Sequence, residues 1–405
     1  MPNPLDSPVS SRRARIALLA SVALLAVTTT VGLTLRVWHS YLDLHVYRTG
    51  ARVFLDGDFL YGVMPPVDGV YLPFTYPPLA AMLFTPFAVI PVTAADALMF
   101  AATLIALGVA LWMVLGRLIP RIDWMLRLAA VFALVAVFQF FEPVRENLGF
   151  GQVNILLMAA ITVDVLCRAR RWLRGLLIGI AVSIKLTPAG FLLYFVLRRD
   201  WRAVGMMLVG TLGAVGLAWL ISPADSVQYW FHTLRETGRI GAPYFASNQS
   251  IKGAVFRLGM SESLSTVLWL GLSAVAVALA AWWMYRLLAA GQQATALMVN
   301  AAVVLLISPV SWSHHWVWIA PVLVIAGYAV STRRFGWPLA AATTVTAVVF
   351  AVGPHWLLPA RQDRELSWTW WQHLVGNSYV WLTVAALIVG ALSWKPTAAL
   401  ESADD

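Results

Sequence analysis

Three side-chain groups in this sequence stand out for chemistry: a carboxylate at the edge of an apolar run, a lysine that interrupts another, and two adjacent histidines between tryptophans. Asp43 falls in His39-Ser-Tyr-Leu-Asp43-Leu-His45-Val-Tyr47, directly after the apolar run 16–37. A carboxylate held at a membrane boundary, partly shielded by lipid and aromatic rings, is placed to take a proton from a substrate hydroxyl. The same position also suits a solvated loop acid or a helix cap. Lys185, in Ser183-Ile-Lys185-Leu-Thr187-Pro188, is one of only three lysines. An ammonium inside a span costs about 2.5–3.5 kcal/mol on insertion scales, so it serves an anionic ligand, a pathway or a pair, or else it snorkels. Pro188 breaks the helix there and puts Lys185 at an apex facing a cavity. In Ser311-Trp312-Ser313-His314-His315-Trp316 the paired histidines suit proton transfer or phosphate contact better than metal ligation, for which no third ligand can be placed.

Other polar clusters punctuate the chain. Asn248-Gln249-Ser250-Ile-Lys252-Gly253 offers amide, hydroxyl and ammonium donors suited to sugar hydroxyls or phosphate oxygens. Leu72-Pro-Phe-Thr-Tyr76-Pro77-Pro78 reads as a rigid corner, whose rings join the interfacial aromatic belt or line a sugar subsite. In Glu142-Pro-Val-Arg145-Glu146-Asn147-Leu-Gly149-Phe-Gly151-Gln152-Val-Asn154, polar groups crowd between two short helices. Unpaired burial costs several kcal/mol each, so they line a water-filled cavity or pair with one another. An Arg145 pair with Glu142 or Glu146 and a substrate role are equally open. Leu55-Asp-Gly-Asp58 reads as a turn with solvated acids.

The elements that position these groups are membrane helices. Of 405 residues, 60% are hydrophobic and only 12% charged; the mean hydropathy is +0.76. That balance excludes a soluble globular chain. The predicted fold is all-α and polytopic, with about twelve transmembrane helices, several short or broken. They fall near 16–37, 92–116, 128–141, 153–167, 174–185, 187–198, 203–221, 264–286, 294–307, 316–331, 337–353 and 377–394. Pro77 to Pro91 is either a re-entrant hairpin or the outer part of the second span. A single transmembrane domain over 16–394 is expected between cytoplasmic tails 1–15 and 395–405, with large non-cytoplasmic loops near 38–76 and 222–263.

Net charge is +9. The basic residues sit in small clusters at the ends of apolar runs, which orients helices and does not suggest nucleic acid as a partner. Arg12 to Arg15, Arg117 to Arg127, Arg168 to Arg174, Arg198 to Arg202, Arg286, Arg333 with Arg334, and Lys395 are then cytoplasmic. That choice places all seven histidines and most of the acids and asparagines on the other side. The lone Cys167 excludes an intramolecular disulfide.

Taken in order, Asp43-Leu-His-Val-Tyr47, Leu72-Pro-Phe-Thr-Tyr-Pro-Pro78, Gly151-Gln-Val-Asn154, Lys185-Leu-Thr-Pro188, Asn248-Gln-Ser250 and Ser311-Trp-Ser-His-His-Trp316 resemble glycosyltransferase family 87 across essentially the whole chain. This is an actinobacterial, polyprenyl-phosphate-sugar-dependent group with the GT-C membrane fold. The resemblance implies an inverting transfer in the cell membrane, on its periplasmic or extracellular face. Mannose passes from polyprenyl-phosphate-mannose to a phosphatidylinositol mannoside, lipomannan or lipoarabinomannan glycolipid, forming an α-(1→2) link. It implies Asp43 as general base. Lys185, His314, His315, Asn248, Gln249 and Lys252 are candidates for the donor phosphate and sugar. His45, Tyr47, Tyr76, Glu142, Arg145, Glu146, Gln152 and Asn154 are candidates for the acceptor or cavity. No cofactor or metal is expected, and no Walker or dinucleotide glycine pattern is present.

An arabinofuranosyltransferase using polyprenyl-phosphate-arabinose is the near alternative, and a secondary transporter or lipid flippase the distant one. Transporters are commonly built from repeated halves around a midplane site. Here no repeat is found and the polar groups crowd one face. A flippase would place cations along both halves of a path.

Overall fold

A computed structural model describes residues 11–332 and 336–395. Arg333, Arg334 and most of the two expected tails lie outside the described residues. Among those residues the protein is helical throughout, with no strand and two isolated bridges, Val67 with Val70 and Asn248 with Trp312.

Helix occupies each of the twelve expected apolar stretches, but fewer are long enough to cross a bilayer alone. Five described helices are: Ser11–Thr34, Val92–Leu118, Trp201–Ile221, Glu262–Ala289 and Ser313–Ser331. Two bent pairs raise the number to seven, Trp124–Phe138 with Glu142–Phe150 at 80° and Trp370–Gly376 with Ser378–Ser393 at 72°. The remaining stretches stop early at polar or proline-containing breaks such as Lys185 to Pro188.

Packing follows the apolar pattern. Ser11–Thr34, Trp201–Ile221 and Glu262–Ala289 are apolar all round, yet leave Leu19, Leu212, Leu220 and Val267 exposed. Such faces need a lipid solvent. By contrast, Gln293–Ile307 is buried along most of its length at the centre of the largest core cluster.

Two expected loops contain structure. Segment 38–76 holds the helix Leu42–Leu55, and segment 222–263 holds Pro223–Phe231 and Ile251–Phe256. Pro77 to Pro91 is not the outer part of the second span. It forms two short helices, Pro78–Leu83 and Thr85–Val89, and the chain then extends at Ile90 before Val92–Leu118 begins.

The helix Leu176–Ile184, which ends at Lys185, is fixed at both ends of its contact with Trp201–Ile221. A Cβ on Gly179 would lie 2.2 Å from the Met207 carbonyl oxygen, and one on Gly210 would lie 2.5 Å from that of Leu176. Only glycine permits so close a backbone approach, the usual device for membrane helices that gain little hydrophobic drive from association. The buried Asp164 carboxylate accepts from Gly175 N and Ile178 N at 3.0 Å each and so caps the start of the same helix.

These contacts yield a prediction. Gly179→Val is expected to destabilise the protein by about 1–3 kcal/mol through overpacking. Gly213→Val, where an added Cβ meets nothing within 4 Å, should leave the thermal unfolding midpoint of the detergent-solubilised protein unchanged. Equal midpoints for the two variants would refute the tight crossing.

Candidate active site

The site begins with a tight approach between two chain segments. Ser40 and Tyr41 enter the helix Leu42–Leu55 in left-handed conformations, and Tyr41 N donates to Gly149 O at 2.8 Å. Gly151, with φ 66°, ends the helix Glu142–Phe150, and a Cβ there would lie 2.7 Å from Leu44 Cβ. Glycine is required on both counts. The turn is locked further by Gln152 N donating to Asn147 O and Asn147 Nδ2 donating to Gln152 O. Its product is one hydrogen bond: Gln152 Nε2 donates to Asp43 Oδ2 at 2.7 Å.

Asp43 is half-buried. Burial pushes its carboxyl above the usual carboxylate range, and the Gln152 hydrogen bond and the Lys185 charge partly offset that. It is therefore a stronger base than a solvated aspartate while remaining reachable.

Beside Asp43 stands Tyr76, held by Tyr61 OH donating to its carbonyl at 2.8 Å and by the prolines that follow it. Its hydroxyl hydrogen-bonds Tyr47 OH at 2.8 Å and lies 3.4 Å from the Gln152 amide. Its ring faces the ammonium of Lys185, with Nζ 5.6 Å from the centroid. Tyr76 is thus a wall of the site, where its prolines alone had suggested a structural corner.

Lys185 Nζ donates to Asn154 Oδ1 at 2.7 Å and meets His315 Nε2 at 3.2 Å. Asn154 is itself oriented by donating to Asn147 Oδ1 and to His314 O. An ammonium has three protons and two have partners here, which leaves one donor for an anionic ligand. His315 is therefore the histidine beside the cation. His314 packs on Phe150 at 5.3 Å, and its Nε2 is buried without a hydrogen-bond partner.

The structure thus brings Asp43, Tyr47, Tyr76, Gln152, Asn154, Lys185 and His315 into one network, with His314 at its edge. Other candidates go elsewhere. Asn248 is fully buried and its amide is occupied by backbone: Nδ2 donates to Pro243 O and Pro309 O, and Oδ1 accepts from Ser311 N. Gln249 Nε2 donates to Ala246 O and Gly376 O. Both amides tie loops together and present no free donor to a sugar. Lys252 packs its ammonium on Phe256 and Trp269, at 5.2 and 4.8 Å.

His45 bridges Asp68 and Asp96 at 3.1 and 3.2 Å, outside the Asp43 network. Arg145 pairs with Glu146 at 3.3 Å. It does not pair with Glu142, which is fully buried and accepts from Trp356 Nε1 and Tyr379 OH at 2.7 Å each, with His355 Nε2 at 3.5 Å. Those partners sit more than two hundred residues along the chain, where sequence spacing gives no signal. Asp164 was missed as well, although a carboxylate in an apolar run was a readable sign. Among the described residues no group of three or more His, Cys, Asp or Glu could hold a metal ion.

A carboxylate, a cation with a spare donor and an aromatic ring beside the cation, set among membrane helices, suit transfer from an anionic leaving group to a hydroxyl. Residues 74–309 match glycosyltransferase family 87. The chain is 40% identical over 364 residues to a polyprenol-phosphate-mannose-dependent alpha-(1-2)-phosphatidylinositol mannoside mannosyltransferase of Mycobacterium tuberculosis, covering 87% of this chain and 84% of that one. It is 32% identical to the corresponding phosphatidylinositol pentamannoside mannosyltransferase of Mycolicibacterium smegmatis, covering 95% and 93%. An alpha-(1->3)-arabinofuranosyltransferase of Corynebacterium glutamicum is more distant, at 25% identity over 77% of this chain and 82% of its own length. The protein belongs to glycosyltransferase family 87 and is a membrane-embedded glycosyltransferase.

The raised carboxyl of Asp43 sets a pH dependence. Transfer should rise with pH as Asp43 loses its proton, with a midpoint above the ordinary carboxylate range. Gln152→Ala removes a donor that favours the ionised form, so the acid limb of kcat/KM should shift to higher pH. The stability sign is the reverse: a group whose pKa is raised by folding supports the fold below its unfolded pKa and loses that support as pH rises through the folded one. Asp43→Asn should consequently melt at or above the wild-type temperature at pH 8. An unmoved acid limb in Gln152→Ala would break the link between the two side chains.

Proposed function

We propose that this protein transfers mannose from polyprenyl-phosphate-mannose to a phosphatidylinositol mannoside, forming an α-(1→2) linkage on the non-cytoplasmic face. The observation that carries the reading is the presence in one network of half-buried Asp43, held by Gln152, and the Lys185 and His315 cation site beside the Tyr76 ring. The relatives' names support the donor, the linkage and the acceptor class.

Asp43 takes the proton of the acceptor hydroxyl as its oxygen attacks the anomeric carbon from the face opposite the phosphate. The bond to the polyprenyl phosphate breaks, and its electron pair leaves on the phosphate oxygen, where Lys185 neutralises the developing charge. His315 holds the ammonium toward that oxygen. A β-linked donor gives an α-linked product by this single inversion.

The sidedness rests on two helices. Leu176–Ile184 runs from Gly175, beside the Arg174 pair with Asp200 at 3.3 Å, to Lys185, roughly 13 Å along the axis. Asn154–Leu166 runs from the Lys185 partner Asn154 to Leu166 O, which accepts from Arg117. Arginines at one end and the network at the other agree with basic residues inside and chemistry outside. The reading places both termini in the cytoplasm and treats the twelve apolar stretches as a GT-C bundle whose short members rely on neighbours to span.

Purified protein given radiolabelled polyprenyl-phosphate-mannose, the arabinose counterpart and a panel of lipid acceptors tests this directly. Mannose transfer to phosphatidylinositol mannoside, unaffected by EDTA, is expected. Transfer of arabinose alone, or no transfer with donor movement across vesicles, would overturn it. Asp43→Asn should reduce turnover by about 10²- to 10⁴-fold or more with normal donor binding. Asp56→Asn and Asp58→Asn, both exposed beside the left-handed Gly57, should work at near-normal rates.

A further inference from the structure

A cavity of about 380 Å³ takes no part in the chemistry described above. Its lining includes Tyr244, Phe245, Trp312, Arg361, Gln362 and Asp363. The volume falls within the roughly 300–1,000 Å³ typical of small-ligand sites. Phe245 and Trp312 meet edge to face at 5.8 Å, giving an aromatic wall. Trp312 belongs to the same short segment as His315, whose N–H donates to the Trp312 carbonyl at 2.8 Å.

The opposite wall is built at a conformational cost. Arg361, Gln362 and Asp363 are three consecutive non-glycine residues with φ of 68°, 51° and 61°. Such backbone persists only where its surroundings over-determine it, and it concentrates at ligand sites. Here the buried Glu365 carboxylate accepts from Arg361 N at 3.0 Å and Ala246 N at 3.2 Å. Tyr244 OH donates to Asp363 Oδ1 at 2.8 Å, which orients that carboxylate. The loop is thereby held against the aromatic wall with its polar side chains exposed.

Arg361 is offset by Asp363, and the buried Glu365, bound to backbone N–H groups, is offset by the buried Arg257, so the cavity carries no surplus cation for a phosphate. Flat rings facing an amide and a carboxylate instead match a neutral polyol: the rings cover its apolar C–H face, and the polar groups receive its hydroxyls. We propose that this cavity is a subsite for mannosyl residues of the acceptor glycan, remote from the hydroxyl that reacts. The identity of the ligand rests on the acceptor reading given above. Contacts with non-reacting sugar at such a site hold the acceptor equally in the ground and transition states, which lowers its KM without changing kcat.

The test combines binding with kinetics on the full chain in detergent. Saturation-transfer NMR with methyl α-mannoside should give a signal that falls several-fold in Gln362→Ala and Asp363→Asn. Asparagine tolerates the left-handed backbone, so the second variant keeps the loop. Tyr244→Phe supplies a substitution of nearly unchanged shape, and Asp56→Asn should match the wild type. In the transfer assay the pocket variants should raise the acceptor KM about tenfold while kcat and the donor KM stay within about twofold. An undiminished mannoside signal in all three pocket variants, or an unchanged acceptor KM in an active enzyme, would overturn the proposal. Mannoside binding that is lost in the variants of a protein without mannosyl transfer would uphold the pocket and reject the transferase reading instead.

Discussion

The whole arrangement depends on keeping an ammonium and a carboxylate apart inside an apolar protein. Left together they would neutralise each other, and left alone each would carry a heavy desolvation penalty. Among the described residues no ion pair joins Asp43 to Lys185. Gln152 supplies a neutral donor to the acid, Asn154 a neutral acceptor to the cation, and the Tyr76 ring stands beside the ammonium. Neutral partners stabilise each charge without cancelling it. Gln152 and Asn154 are two residues apart, so the Gly151 turn serves both charges at once.

That constraint propagates outward. The turn needs Gly151 against Leu44, and Lys185 needs a helix seated by Gly179 and capped by Asp164. On the other side, the loops are bound by Arg257, which is fully buried and donates to the carbonyls of Tyr244, Phe245 and Asn248 and to Asn377 Oδ1. A buried guanidinium with acceptors on every side is expensive to disturb. It acts as a hub for the segments that carry the histidines and the aromatic cavity.

Much of this was readable because lipid makes polar residues conspicuous. Asp43, Lys185, Gln152 and Asn154 drew attention as polar types where apolar ones were expected, and the structure gathers them together. Asn248 and Gln249 drew attention for the same reason and serve the backbone instead. Residue type records a capacity to donate, whereas the identity of the acceptor is set by loops sixty or more residues away. Glu142 illustrates the same limit, since its nearest charged neighbour in sequence, Arg145, turns to Glu146. The apolar runs were legible as helices, but their number as independent spans was not. Whether a short helix crosses alone depends on neighbours, as the bends at Glu142–Phe150 and Trp370–Gly376 show.

The split between acid and cation also bears on the backbone around them. A general base acts over hydrogen-bond distances, and a leaving phosphate must meet its cation while the base meets the nucleophile. A displacement near 1 Å at either group breaks the line between them. The protein fixes that line through backbone features a side-chain inventory does not reveal: left-handed Ser40, Tyr41 and Gly151, the extended break at Lys185 and the proline pair after Tyr76. Each is unfavourable or restrictive locally, and each lies within a few residues of a network side chain. The reacting groups are thereby tied to backbone that has few alternative conformations, so their separation is set by the chain path as much as by the side chains themselves.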